Sequence, residues 1–196
     1  MVDRTCANLA FSAGHCTDSL RRCRGPLERR MQATSYTIET EKADDWWEVE
    51  TLYDLSFAPG RSALSSYRLR DDINPVAALC LVARDPDDIV AGAVRNWPVR
   101  VGGQPALLLG PIAVHPTRQG EGLAALLMLR CIELAQDMGW ARMMLVGDQP
   151  YYGRFGFRRL DGVKMPPPTN LDRTLGLDLV GGAWQGVEGP VERATD

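Results

Sequence analysis

Gln119-Gly120-Glu121-Gly122-Leu123-Ala124 is the segment whose residue types and spacing could do chemistry. Two glycines leave the main chain bare, and they stand directly before a long run of helical period. Backbone N–H groups gathered at a helix start, where the helix dipole is positive, make a seat for anions. The chemistry implied is the holding of phosphate groups. The apolar run 106–114 comes first, then His115, Pro116 and Arg118, so the order is strand, glycine-rich turn, helix.

Three frames compete for this turn. A P-loop fails because no Gly-Lys-Ser/Thr follows. Gly120-x-Gly122-x-x-Ala125 satisfies a permitted dinucleotide fingerprint. However, that fingerprint begins at the strand end, and five residues separate Val114 from Gly120. Too little chain also follows Val146 for a second nucleotide-binding half. The third frame is Gln119-x-x-Gly122-x-Ala124.

The elements that must position these residues are readable around them. Alternation over Tyr36-Thr37-Ile38-Glu39 predicts a strand, and Asp44 and Asp45 a helix start whose apolar stripe is Trp47, Leu52, Leu55 and Phe57. Pro59-Gly60 ends that helix, and a short second one covers 63–70. Residues 76–83 read as a buried strand. Asp85-Pro86-Asp87-Asp88 is a hairpin turn, after which 89–94 pairs back and 97–101 continues past Pro98. Gly102-Gly103 turns the chain into the central strand 106–114. Helix 122–138 follows, with Leu123, Leu126, Leu127, Cys131, Leu134, Ala135 and Met138 on one face and Gly139 as its stop. Strand 143–146 must run parallel to the central strand, because a helix joins them. A short helix over 151–155 and a hairpin of 157–160 with 175–180 close the chain.

In this third frame the chain resembles the GNAT superfamily of acyl-CoA-dependent N-acetyltransferases, in particular one bacterial branch of predicted acetyltransferases. The resemblance runs from about Tyr36 to Val180. It is carried by Leu109-Gly110-Pro111-Ile112-Ala113-Val114-His115-Pro116 before the loop and Leu145-Val146-Gly147-Asp148 on the next strand. Tyr151-Tyr152-Gly153-Arg154-Phe155-Gly156-Phe157 follows, similar to the family's Tyr-x-x-x-Gly-Phe element. Phe57-Ala58-Pro59-Gly60-Arg61 and Gly176-Leu177-Asp178-Leu179-Val180 add to it. The fold implied is α+β (an α/β three-layer arrangement), a mixed six- to seven-stranded sheet with helices on both faces. The domains expected are an Arg-rich extension at 1–33, the acetyltransferase domain at 34–182 and a tail at 183–196.

The resemblance implies acetyl-CoA as co-substrate and no metal. Amides of Gln119, Gly120, Glu121, Gly122, Leu123 and Ala124 would take the pyrophosphate. Ile112, Ala113 and Val114 would meet the pantetheine arm where the fourth strand splays from the fifth, with Gly110-Pro111 as a bulge that starts the splay. A neutral amine would attack the thioester directly, so no enzyme nucleophile is needed. Tyr152 sits where the family keeps its general acid, and an ordinary phenol of pKa about 10 suits a thiolate leaving group. Asp148 is a candidate base whose plainer role is capping the short helix. Glu48 and Glu50 read as solvated, and His115 as a surface residue. Acceptor specificity would fall to 57–61, 95–97 and the loop at 165–170, with Arg61 placed to meet a carboxylate and Trp97 to wall the pocket. The alternative is a non-catalytic acyl-CoA-binding module on the same fold.

Composition sets outer limits. At 196 residues, 45% hydrophobic and 24% charged, the chain has the make-up of a soluble globular domain. A net charge of −3 and a pI near 5.5 argue against nucleic acid as a partner and favour a cationic acceptor. No apolar run reaches the ~20 residues of a bilayer span, so no membrane partner is expected. The acceptor is a small-molecule or protein amine, a homodimer is left open, and the compartment expected is cytoplasmic. Five cysteines without a paired framework read as reduced thiols. His15, Cys16 and Cys23 match no standard zinc spacing. The stretch 1–33, rich in arginine and poor in acid, reads as a disordered extension or a targeting arm.

Overall fold

The chain builds its sheet outward from the glycine-rich turn's own neighbours. Residues 36–57 and 60–194 are described in the computed structural model. The Arg-rich stretch 1–33, with His15 and its cysteines, lies outside them, as do Ala58 and Pro59 of the first helix's expected stop.

The chain enters as β1 (Thr37–Thr40). The Lys42 N–H donates to the Asp45 carboxylate at 2.8 Å, and the Asp45 N–H to the Lys42 carbonyl at 3.1 Å. This reciprocal cap starts a 3-10 turn that runs into α1 (Trp46–Phe57). α1 buries Val49, Leu52 and Tyr53, an i, i+3, i+4 set. Of the expected stripe only Leu52 is buried; Trp47 is 74% exposed, and Leu55 and Phe57 are also open. Apolar residues ring this helix, so periodicity alone does not choose a face. Contact with Val82, Val90 and Ala93 does.

α2 (Ser65–Arg68) is one turn. The expected strand at 76–83 divides into a 3-10 turn, Ala77–Leu79, and β2 (Leu81–Arg84). Asn96 causes the division. Its side-chain amide donates to the Leu79 carbonyl at 2.8 Å, and its backbone carbonyl accepts from the Val76 N–H at 2.8 Å, which removes both from any ladder. The Asp85 carboxylate accepts from the amides of Asp87 and Ile89, which forms the hairpin into β3 (Val90–Val101). Gly102 and Gly103, with φ of 52° and 78°, make the two-residue turn into β4 (Gln104–Val114).

α3 (Leu123–Asp137) buries Leu123, Leu127, Met128, Cys131, Ile132 and Ala135. Leu127 is wholly buried, and truncating such a side chain costs ~2–5 kcal/mol. The Trp140 N–H reaches back to the Ala135 carbonyl at 3.0 Å across Gly139 (φ 79°), which stops the helix. Met138, expected on the buried face, is exposed, because it already belongs to this cap. β5 (Arg142–Val146), α4 (Gln149–Tyr152), β6 (Arg158–Arg159), β7 (Val163–Lys164), β8 (Thr174–Asp178) and β9 (Gly189–Arg193) follow.

Strands run in the order β1-β2-β3-β4-β5-β8-β6, antiparallel throughout except for the parallel β4–β5 pair. α3 covers one face through Leu81, Ala83, Leu107 and Met143, and α1 covers the other. Seven strands lie on this path, and β9 adds to the edge of β3 while pairing with β7. Gly189–Arg193, within the stretch 183–196 expected as a tail, therefore forms a strand. Gly189-Pro190 reads as a turn in sequence, yet Val191 is buried opposite Val101.

Candidate active site

The parallel pairing of β4 with β5 is confined to Leu107 with Met143 and Leu108 with Met144. Beyond Leu108, β4 runs on to Val114 with no strand on that side among the described residues, so a gap opens. Its cause lies in the β3–β4 ladder. Asn96 stands opposite Leu109 and Val94 opposite Ile112, so β4 carries one extra residue at Gly110-Pro111. The bulge also sets which backbone groups face the gap. The His115 N–H donates to the Ala91 carbonyl at 2.8 Å, which makes 91–115 and hence 93–113 hydrogen-bonded pairs of the ladder. The N–H and C=O groups of Ile112 and Val114 therefore point away from β3, into the gap. Ala113, expected with them, gives its backbone to β3 and its side chain to the α1 face.

The gap leads to the glycine-rich turn. The His115 ring Nδ1 accepts from the Thr117 N–H and bonds the Thr117 hydroxyl at 2.8 Å, fixing a 3-10 turn at Pro116–Arg118. Gly120 and Gly122 then take φ of 85° and 89°. A Cβ at either position would meet no protein atom within 4 Å, so it is the backbone conformation that demands glycine. Gly122 is the N-cap of α3 and no side chain caps it. The first amides of the helix, including those of Leu123 and Ala124, thus have no intrahelical acceptor. The Glu121 carboxylate is drawn aside to the Tyr36 hydroxyl at 2.5 Å. Arg118 stands beside the turn, held by Asp85 at 3.0 Å.

Past the bulge the gap widens into a cavity of about 120 Å³. Leu109, Gly110, Pro111 and Ile112 form one side, Leu145, Val146 and Tyr152 another, and Phe57, Leu64, Tyr67 and Arg70 the far wall. Tyr152 is seated by Gly147: a Cβ there would lie 2.1 Å from Tyr152 Cε2. The Tyr151 and Phe157 rings pack edge-on against it, with centroids 4.9 and 6.1 Å away. Burial pushes the Tyr152 phenol up to about 12, with Tyr151 and Asp148 adding to it. Its hydroxyl makes no hydrogen bond with the described residues. Asp148 occupies the N-cap position of α4, but its side chain does not cap. The carboxylate is 73% exposed and pairs with Arg173 at 3.1 Å.

The model of the acetyltransferase (GNAT) family matches residues 46–157. The chain belongs to the acetyltransferase (GNAT) family. The chain is 33% identical over 111 residues to the uncharacterized N-acetyltransferase YhbS of Escherichia coli K12, covering 56% of this chain and 65% of that protein. The match thus spans about two-thirds of the length of its curated relatives. Among solved structures, that of YhbS from Escherichia coli in complex with CoA superposes with a TM-score of 0.72 at 28% identity, over 82% of this chain and 90% of that one. A GNAT acetyltransferase from Brucella melitensis in complex with acetyl-CoA shares the fold, with a TM-score of 0.61 at 24% identity over 82% and 96% of the two chains.

In this GNAT chain the acceptor side departs from expectation at several residues. Glu50, read as solvated, bridges Arg61 and Arg95 at 2.5 Å each. Burial opposes its ionisation, but the two guanidinium groups outweigh it and hold its carboxyl below the usual range. Glu48 stays exposed and accepts from the Val90 N–H. Arg61, expected to meet a carboxylate, is engaged by Glu50, Asp54 and the Tyr67 hydroxyl. Trp97 is buried behind the pocket, where the Arg70 guanidinium packs on its ring at 4.5 Å. Arg70 itself escapes a sequence reading. It is one of five arginines and lysines from 42 to 84, and nothing in its spacing marks it.

Proposed function

We propose that this GNAT chain transfers the acetyl group of acetyl-CoA to an amine. The observation that carries the reading is the opening of β4 from β5 beyond Leu108. It runs from an uncapped helix start at 119–124 to a cavity holding Tyr152. The geometry fits acetyl-CoA part by part. Amides of Gly120, Glu121, Gly122, Leu123 and Ala124, with Gln119 beside them, would hold the pyrophosphate. The gap-facing backbone groups of Ile112 and Val114 would pair with the amide-bearing arm.

Bound acetyl-CoA supplies an activated acetyl group: amine nitrogen replaces sulfur on the carbonyl carbon, and one proton passes, net, from nitrogen to sulfur. The apolar walls, Leu109, Ile112, Leu145 and Val146, exclude water that would hydrolyse the thioester. Tyr152 presents an O–H to the departing sulfur. Burial makes it a weaker acid than the ordinary phenol expected from sequence. The same burial disfavours a bare thiolate beside it, so the proton is shared along the O–H to sulfur contact rather than simply handed over. Tyr152 therefore acts as a fixed hydrogen-bond donor that gives up its proton only as the attacking nitrogen replaces it. Asp148, exposed and paired with Arg173, is left a role at the cleft's rim, collecting the amine's proton on its way to solvent.

Thiol release from acetyl-CoA with a panel of amines tests the reading. Turnover is expected, together with a loss of about 10²–10⁴-fold in kcat for Tyr152→Phe at unchanged coenzyme A affinity. Coenzyme A binding without turnover on any amine would instead support an acyl-CoA-binding module. No binding of coenzyme A would remove both readings.

A further inference from the structure

Arg70 stands apart from the other half-buried arginines of its neighbourhood. Arg61 has Glu50 and Asp54, Arg84 has Glu39 and Asp45, and Arg95 has Glu41 and Glu50. Arg70 has no carboxylate among the described residues. Its Nε and Nη1 are buried with no hydrogen-bond partner. The guanidinium is held against the rings of Tyr67 and Trp97, 4.1 and 4.5 Å from their centroids. Its Nη2 lies 3.9 Å from where a side chain on Gly110 would begin, so it borders the β4 bulge. Arg70 also lines the same cavity as Tyr152. Burial pushes its pKa down to about 10, with Tyr67 opposing, so it remains charged at neutral pH.

A buried guanidinium with unmet donors is costly, and the cost is relieved when an anion arrives. The rings hold its plane, which leaves the in-plane N–H groups as a preset fork for two oxygens. The nearby carboxylates are committed: Glu50 and Glu41 to Arg95, Glu50 and Asp54 to Arg61. Among the described residues no carboxylate pairs with Arg70, which leaves its donors open to an anion on a ligand.

We propose that Arg70 receives a carboxylate on the acceptor, so that the substrate class is an amine carrying a carboxylate within one small molecule or at a chain end. The inference rests on the acetyltransferase reading above. It also reverses the preference for a cationic acceptor drawn from net charge, because the local charge of the cavity wall is a lone cation. The phenyl ring of Phe57 and the side chain of Leu64 border the same wall and suit an apolar body on the acceptor.

The test compares α-amino acids with their amides and with the matching decarboxylated amines, in thiol release from acetyl-CoA. The carboxylate-bearing member of each set is expected to have a kcat/KM ~10- to 100-fold higher, through KM, the size of one charge-assisted pair. Arg70→Gln should erase that preference, Arg70→Lys should keep part of it, and both should bind coenzyme A as the parent does, read by thermal shift. A second readout is independent of turnover. With coenzyme A present, N-acetyl amino acids should raise the melting temperature of the parent more than their amides do, and of Arg70→Gln equally little. Equal use of acids and amides, or a preference that survives Arg70→Gln, overturns the proposal. So does an Arg70-dependent preference for succinyl-CoA over acetyl-CoA, which would assign the anion to the acyl chain. Loss of coenzyme A binding in the parent would instead strike the acetyltransferase reading itself.

Discussion

Gly147→Ala changes one hydrogen to a methyl group, and its consequence follows from the seating of Tyr152. The added carbon would stand 2.1 Å from Tyr152 Cε2 and 2.6 Å from Cδ2. Ordinary carbon contact is ~3.5 Å, so the ring edge must retreat by ~1.4 Å. It cannot do so freely, because Tyr151 and Phe157 pack against it and Leu145 Cδ1 lies 3.0 Å from the same new carbon. The φ of Gly147 is outside the left-handed region, so the backbone accepts alanine and the effect is steric. Misplacing a catalytic group by ~1 Å costs on the order of 10²-fold in rate. Overpacking should cost ~1–3 kcal/mol of stability as well. The assay is thiol release beside coenzyme A titration: kcat should fall ~10²-fold while coenzyme A affinity holds. In a Tyr152→Phe background the same alanine should cost far less, because the hydroxyl it displaces is already gone. Full activity in a folded Gly147→Ala protein, or losses that multiply in the double variant, would show that Gly147 does not seat the Tyr152 hydroxyl.

Gly122→Val forces a β-branched residue to φ 89° and sets a side chain over the open amides; coenzyme A affinity should fall at least ~10-fold in calorimetric titration. Because burial holds the Tyr152 phenol near 12, the pH–rate profile should rise with deprotonation of the acceptor amine and then stay level to about pH 10. A falling limb near pH 9 that vanishes in Tyr152→Phe would contradict that. Glu50 and Asp45 are both held below their ordinary values, against the effect of burial, by Arg61 and Arg95 and by the Lys42 amide and Arg84. Their depressed folded values mean a stabilisation that is complete above the unfolded values of about 4 and lost as pH falls through the folded ones. The melting temperature should therefore be flat from about pH 7 to 5 and drop below about pH 4, with a smaller drop in Glu50→Gln.

The central strand, the turn and α3 were legible because three local signals coincide there: an apolar run, a glycine pair and a 3.6-residue period. Gly110-Pro111 was legible as a bulge for the same local reason. Gly147 was visible inside a motif, but its purpose is a contact with a ring five residues later, which no spacing reveals. α1 misled because Trp46, Trp47, Leu55 and Phe57 are apolar on faces the sheet never meets. β9 hid behind Gly189-Pro190, whose turn chemistry is local while its pairing with β3 spans some 90 residues. Arg61 and Arg70 look alike in sequence. One is matched by carboxylates on α1 and the other is not, and only tertiary structure separates them.

In the proposed reading, backbone amides at the start of α3 and along the free edge of β4 hold the pyrophosphate and the pantetheine arm of acetyl-CoA. Amide-resolved NMR during a coenzyme A titration reads each of these groups separately. The largest shifts, and slowed hydrogen exchange, are expected at the amides of Ile112, Val114 and Gly120 through Ala124, with the β3-bonded amide of Ala113 little changed. Shifts confined to other surfaces, or a response at these amides to a nicotinamide dinucleotide and none to coenzyme A, would contradict that reading.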